Sequence, residues 1–91
     1  MTATVRIPTP LRSLTGDQAT VTVEGQTVAE VVKALDAAHP GLAGRILDSD
    51  GNIRRFVNVF VDDEDIRFVD GLATAVPDGA TVSIIPAVAG G

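Results

Sequence analysis

The chain has 91 residues, of which 45% are hydrophobic, and 7 basic and 12 acidic side chains give it a formal net charge of −5. This length suits one domain with one core, and the hydrophobic content is typical of a folded protein. The sequence contains no cysteine, which excludes disulfides, cysteine metal sites and thiol nucleophiles. Nucleic-acid binding is disfavoured as well, because it requires a basic surface that displaces counterions from phosphate.

The sequence predicts a cytoplasmic protein that does not bind membranes. Its apolar stretches are much shorter than the ~20 residues of a membrane span, and the N-terminal MTATVRIP lacks the pattern of a secretory signal. The negative charge is expected to steer the protein towards a basic surface on a partner. We expect a monomer when free, with no bound metal or cofactor.

Two strands are predicted near the N-terminus. TATVRIP (2–8) alternates with Val5 and Ile7 on one face, and ATVTVEG (19–25) alternates with Val21 and Val23 on one face. The connection TPLRSLTGDQ (9–18) can form one short helical turn. These segments predict a hairpin with a long loop.

TVAEVVKALDAAHPG (27–41) is predicted as the main helix. Thr27 followed by Glu30 is the pattern of a capping box. An apolar stripe at helical spacing follows, formed by Val28, Val31, Val32 and Leu35. His39 stands before a proline at the end of the helix, where a cation interacts favourably with the helix dipole, so we interpret this histidine as structural.

Two more strands are predicted in the C-terminal half. RRFVNVFVDDED (54–65) places Val57, Val59 and Val61 on one face, and ATVSIIP (80–86) places Val82 and Ile84 inward. The intervening IRFVDGLATAVPDG (66–79) is less regular and predicts one short strand followed by a turn. One helix and a mixed sheet of four to five strands predict an α+β fold, with a domain over 1–85 and a flexible tail over 86–91.

The sequence has no ordinary active-site motif. It lacks the glycine-rich patterns that bind nucleotide phosphates. Asp48–Gly51 resembles the start of a calcium loop, but Ile53 and Val59 occupy the positions where that loop requires Gly and Glu. The carboxylates of Asp62–Asp65 are interpreted as a solvated turn, with a docking patch for a basic partner as the alternative.

An outward-facing apolar cluster predicts a partner-binding surface. By alternation, Phe60 and Ile85 leave the core face of their strands, with Phe56 beside them and Val88 a few residues into the tail. A contiguous apolar cluster on an open sheet is typical of an interface. The alternative is that loops cover this face.

The sequence closes with PAVAGG (86–91), which predicts a slim and accessible terminus. Pro86 lacks an amide donor, so it disfavours further strand pairing, and six residues at ~3.3 Å each extend about 20 Å. Gly90 and Gly91 have no side chain, so a narrow enzyme channel can close around their backbone. A frayed terminus or a remnant of cloning is the alternative.

Several segments together resemble a known family. They are the I-P strand end with LRSLTG (11–16), the helix start TVAE (27–30), RFVNVFVDDEDIRF (55–68), GLATAVPDG (71–79) and VSIIPAVAGG (82–91). With this order of elements, the sequence resembles the ubiquitin-like β-grasp sulfur carriers of the ThiS and MoaD group. Within that group it is most similar to the CysO-type carriers of actinobacteria.

The resemblance implies a function for the tail. An E1-like enzyme would use ATP to adenylate the carboxylate of Gly91, and a sulfur donor would then replace AMP to leave a thiocarboxylate. A second, biosynthetic enzyme would accept the sulfur, for cysteine or for a thio-sugar or other metabolite. The chain would be a protein co-substrate and not an enzyme, with Gly90 and Gly91 as its functional residues. A ubiquitin-like modifier conjugated through Gly91 and a passive β-grasp binding domain are the alternatives.

Overall fold

The computed structural model describes residues 2–55 and 57–86 of the chain. Its strands and α-helices, in chain order, are β1 (Thr2–Arg6), β2 (Thr20–Glu24), α1 (Val28–Ala38), α2 (Leu42–Ile46), β3 (Val57–Val61), β4 (Glu64–Asp65) and β5 (Ala80–Pro86). Short 3₁₀ helices cover Thr9–Thr15, Ile66–Phe68 and Gly71–Ala73.

The strands form one five-stranded mixed sheet in the order β2-β1-β5-β3-β4. β5 lies in the middle, parallel to β1 and antiparallel to β3, while β1 and β2 form the predicted antiparallel hairpin. The predicted α+β fold with a mixed sheet is therefore confirmed. Because β1 and β5 run in the same direction, both strands finish at the same end of the sheet.

The core lies between one face of the sheet and α1. The helical stripe of Val28, Val31, Val32 and Leu35 is buried, as are the inward residues Val5, Val59 and Val82 of the three central strands. Burial of aliphatic side chains of this size stabilises a domain by ~1.5–3 kcal/mol each. The alternation seen in the sequence thus selects the face that packs on the helix.

The start of α1 has the predicted capping box. The Thr27 hydroxyl accepts a hydrogen bond from the Glu30 amide at 3.3 Å, and the Glu30 carboxylate accepts one from the Gln26 amide at 3.2 Å. His39 forms the C-terminal cap of α1, and its amide donates to the Leu35 carbonyl at 2.7 Å. Its position at the helix end agrees with a structural role.

The prediction of a strand within 66–79 is wrong. The short strand comes earlier, as β4, which pairs with β3 across the turn at Asp62 and Asp63. Asp62 adopts a left-handed φ of 55°, which reverses the chain tightly, and the Asp65 carboxylate accepts from the Arg67 amide at 2.9 Å to start a 3₁₀ helix. The exposed carboxylates of Asp62, Asp63 and Glu64 form the solvated turn that their sequence predicts.

Gly25 is placed where the chain passes from β2 to α1. A Cβ atom on Gly25 would lie 2.9 Å from both the backbone nitrogen and the Cγ2 atom of Val31. By contrast, a Cβ atom on Gly44 in α2 would meet nothing within 4 Å. Helix and strand therefore approach too closely at Gly25 for any side chain.

We expect Gly25→Ala to lower the free energy of unfolding by ~1–3 kcal/mol, because the helix backbone must move to admit the methyl group. The matched control Gly44→Ala should be neutral or stabilising by up to ~1 kcal/mol, because alanine is the better helix former. Urea denaturation followed by circular dichroism measures both effects. Equal stability of Gly25→Ala and the wild type would contradict the close approach.

Candidate functional site

The tail is attached to the central strand of the sheet. Pro86 is the last residue of β5 and lies in register with Val57 on β3, so the strand includes the first residue of the predicted tail. Val82 and Ile84, on the inward face of β5, are buried in the core. The position of Pro86 is therefore fixed by strand pairing and by packing. Val88, Gly90 and Gly91 lie outside the described residues, as does Phe56.

Phe60 and Ile85 lie together on the face of the sheet opposite α1, which we call the open face. Phe60 is in register with Ser83, and Ile85 is in register with Asn58, so the two apolar residues are diagonal neighbours on adjacent strands. Ile85 is 48% exposed, whereas Phe60 is half-buried. The structure thus brings together the two described members of the predicted apolar cluster.

Polar residues lie beside this pair on the open face, including Asp65, which is in register with Phe60. Arg6 on β1 is in register with Ser83 on β5 and Thr20 on β2, and the preceding outward residue, Thr4, is in register with Thr81. Hydroxyl groups beside two apolar side chains give a mixed surface of the kind found at interfaces between separately folded proteins.

Arg67 fixes the start of β3, and no sequence pattern identified it. Its guanidinium donates to the carbonyl oxygens of Val57 at 2.7 Å and Arg54 at 3.1 Å, and to the side-chain oxygen of Asn58 at 3.0 Å. The 3₁₀ helix that follows β4 is thereby tied to the strand beside Pro86. This contact joins residues nine to thirteen positions apart, so it has no local signal in the sequence.

Two shallow grooves flank Pro86, and both are rich in arginine. The first, of about 360 Å³, is lined by Arg6 and Arg12 among others, and the second, of about 390 Å³, by Arg45 and Arg54. Pro86 and Ile84 line both grooves. No acidic side chain is among the described residues that line either groove. No local sequence pattern identifies this cluster, because its arginines are spread over 49 positions of the chain.

The segment Asp48–Gly51, which resembles the start of a calcium loop in sequence, forms a turn. The Asp48 carboxylate accepts hydrogen bonds from the amides of Asp50 and Asn52, at 2.9 and 3.1 Å, which makes the segment a side-chain-stabilised turn. Within residues 2–55 and 57–86, no group of histidine and carboxylate side chains is arranged to hold a metal ion. In the same residues, no helix is both long and apolar enough to cross a bilayer.

The fold defines a class of protein. A mixed sheet holds the main helix on one face, and its first and last strands are parallel neighbours at the centre. This is the architecture of the ubiquitin-like β-grasp proteins, as the sequence resemblance implied.

Comparison with known proteins identifies the family. Residues 5–91 match the ThiS family, and the match extends through Gly90 and Gly91. The sulfur carrier protein CysO of Mycobacterium tuberculosis is 50% identical over 93 residues, covering 100% of both chains. The small archaeal modifier protein 3 of Haloferax volcanii is 45% identical over 65 residues, covering 71% of this chain and 70% of that protein. The chain belongs to the ThiS family.

A solved structure supports the same assignment. The CysO-type chain in the crystal structure of the Amycolatopsis orientalis BexX/CysO complex superposes with a TM-score of 0.92 at 45% identity, covering 98% of this chain and 99% of that one. The sheet and helix described above are therefore shared along nearly the whole chain.

Adjacent residues of β5 provide a test of the open face. We expect Ile85→Ala to lower the free energy of unfolding by less than ~1 kcal/mol, because half of this side chain is already in water. Ile84→Ala, which empties a buried position 4% exposed, should cost ~2–5 kcal/mol. Chemical denaturation of both variants measures the difference. If Ile85→Ala is as damaging as Ile84→Ala, Ile85 belongs to the core and the open face is wrongly assigned.

Proposed function

We propose that this ThiS-family protein is a sulfur carrier that reacts through the carboxylate of Gly91. An E1-like partner adenylates that carboxylate with ATP, and a sulfur donor converts it to a thiocarboxylate. A biosynthetic enzyme then takes the sulfur, with cysteine synthesis as the leading pathway and a thio-sugar or another sulfur-containing metabolite as the alternative. The observation that carries this proposal is the 50% identity to a named sulfur carrier over the full length of both chains, with a family match that runs to residue 91.

The chemistry explains why the carrier needs a partner. A carboxylate is a poor electrophile, because its charge is delocalised and an oxide would have to leave. When a carboxylate oxygen attacks the α-phosphorus of ATP, pyrophosphate leaves and the carbonyl gains AMP as a good leaving group. Sulfide then adds to that carbonyl and AMP departs. Positioning and charge stabilisation for these steps belong to the partner's site, so the carrier is a co-substrate and not an enzyme.

The described residues contribute a rigid base and a contact surface. β5 holds Pro86 in place, and five residues at ~3.3 Å each allow the terminus to reach about 17 Å into a partner. Phe60 and Ile85 on the open face, together with Phe56 and Val88, are proposed to contact that partner. The complex that contains the 45% identical CysO chain supports docking of this chain on a second protein.

The proposal is tested by intact mass spectrometry. The wild type is incubated with an E1-like adenylating enzyme, ATP and sulfide. Its mass should increase by the difference between one sulfur atom and the oxygen atom that it replaces. A chain lacking Gly91 and a reaction lacking ATP should show no gain. Ile85→Ala, which is expected to stay folded, should need a higher carrier concentration for half-maximal charging. No mass gain in the wild type would count against the proposal.

A ubiquitin-like modifier is the second candidate, and the relative named small archaeal modifier protein 3 favours it. Both functions activate the same carboxylate, but a lysine amine replaces sulfide as the nucleophile and an isopeptide forms. Denaturing gels that show laddered conjugates with the wild type, and none after deletion of Gly91, would identify this role. If that deletion alters no partner-dependent activity, the tail is passive and the chain is a plain binding domain.

A further inference from the structure

The basic side chains of this acidic protein are concentrated at one end of the sheet. Of its 7 basic residues, Arg6, Arg12, Arg45 and Arg54 line the two grooves that meet at Pro86. They come from β1, the 3₁₀ helix after it, α2 and the segment before β3. We call these four residues the arginine collar. A chain with a net charge of −5 therefore has a locally positive surface at the base of its tail.

The opposite end of β5 is acidic. The turn between β3 and β4 places Asp62 and Asp63 there, and the Asp62 carboxylate accepts from the Thr81 amide at 3.1 Å. Asp78 precedes β5 and accepts from the Thr2 amide at 2.8 Å, a hydrogen bond that lowers the pKa of this carboxyl below its usual value. The seven residues of β5 thus span about 20 Å, with carboxylates near the N-terminal end of the strand and the arginine collar at its C-terminal end.

Two collar arginines are already oriented by the fold. Arg12 donates through Nε to the Ile7 carbonyl at 3.1 Å, and Arg54 donates through Nε to the Gly44 carbonyl at 3.0 Å. A carbonyl oxygen carries no formal charge, so these bonds direct the guanidinium groups without neutralising them. Among the described residues, the hydrogen bonds of these two side chains use Nε alone. Their Nη groups match the two oxygens of a carboxylate.

We propose that the arginine collar is a docking site for an acidic surface segment of the protein that receives the tail. This inference rests on the proposed function. A partner that acts on Gly91 must enclose a tail only about 17 Å long, so its surface comes up to Pro86 and covers the collar. Guanidinium groups that lose water in such a contact need carboxylates opposite them. The charge separation along β5 would also turn the carrier so that its tail approaches first.

Two other occupants fit the structure less well. The phosphates of a nucleic acid would be repelled by a protein with a net charge of −5 and with exposed carboxylates one strand length from the collar. A second copy of the chain could place its Asp62–Asp65 turn on the collar. That contact would be head-to-tail and would cover the base of the tail that a partner has to reach.

The experiment measures binding of the full-length chain to BexX of Amycolatopsis orientalis by calorimetry at about 50 mM and about 500 mM salt. Arg6→Glu and Arg45→Glu test one groove each, and both side chains are exposed. Each reversal should weaken binding about tenfold or more at low salt, and high salt should reduce the difference. Lys33→Glu makes the same charge change at an exposed position of α1, outside the collar. It should weaken binding less than about threefold. Circular dichroism melts verify that all three variants fold.

The proposal is overturned if the wild type does not bind BexX, if the arginine reversals leave affinity unchanged, or if Lys33→Glu weakens binding as much as they do. It is equally overturned if the wild type self-associates at low salt and the arginine reversals abolish that association. A chain lacking Gly91 should bind with the same salt dependence, because docking needs no sulfur. Collar-dependent binding by a wild type that gains no sulfur would therefore refute the proposed function and leave the docking site standing.

Discussion

The pairing of β5 with β1 on one side and β3 on the other is the constraint on which the rest of the molecule depends. Both neighbours pair with the middle of the strand, while Val82 and Ile84 are buried in the core beneath it. β1 pairs with residues Ala80 to Ser83, and β3 continues the pairing to Pro86, so the base of the tail is held by β3. The proposed reaction at Gly91 therefore requires no change in the packing of the domain.

Residues of the same strand contribute to the core, to the open face and to the arginine collar. Its inward residues build the core, and its outward Ile85 joins Phe60 on the open face. Its C-terminal end meets the arginine collar, which includes Arg6 because β1 runs parallel to β5. Alternation along a strand and the direction of its neighbour thus place the proposed contact surface, the arginine collar and the base of the tail at one end of a small domain. A partner can reach all three in a single encounter.

Much of the fold could be predicted from local patterns. The alternation of Val57, Val59 and Val61 predicts β3, and the capping box at Thr27 predicts the start of α1. Both signals can be detected in the sequence because they depend on residues close together along the chain. β4 was misplaced, since a strand of two residues has no periodicity to detect. Its position depends on a left-handed turn at Asp62.

The candidate site was less predictable. Alternation placed Phe60 and Ile85 on the open face, and resemblance to a family pointed to Gly90 and Gly91. The arginine collar could not be predicted, because its members are distant in sequence and come together only when β1, the first 3₁₀ helix, α2 and the segment before β3 pack around the end of β5. The bonds of Arg67 to the start of β3 likewise cross between elements and leave no local pattern.

The central proposal is that β5 is the fixed base from which the carboxylate of Gly91 reacts on other proteins. The most direct test is a chain extended by one tryptophan after Gly91, with mass spectrometry used to verify that the extension stays in place. The extended chain should fold and melt like the wild type but gain no sulfur when it is incubated with the adenylating enzyme, ATP and sulfide. The carbonyl of Gly91 is then an amide, and the new terminal carboxylate carries a bulky side chain that a channel fitted to glycine excludes. Sulfur gain by the intact extended chain at the wild-type rate would contradict the claim.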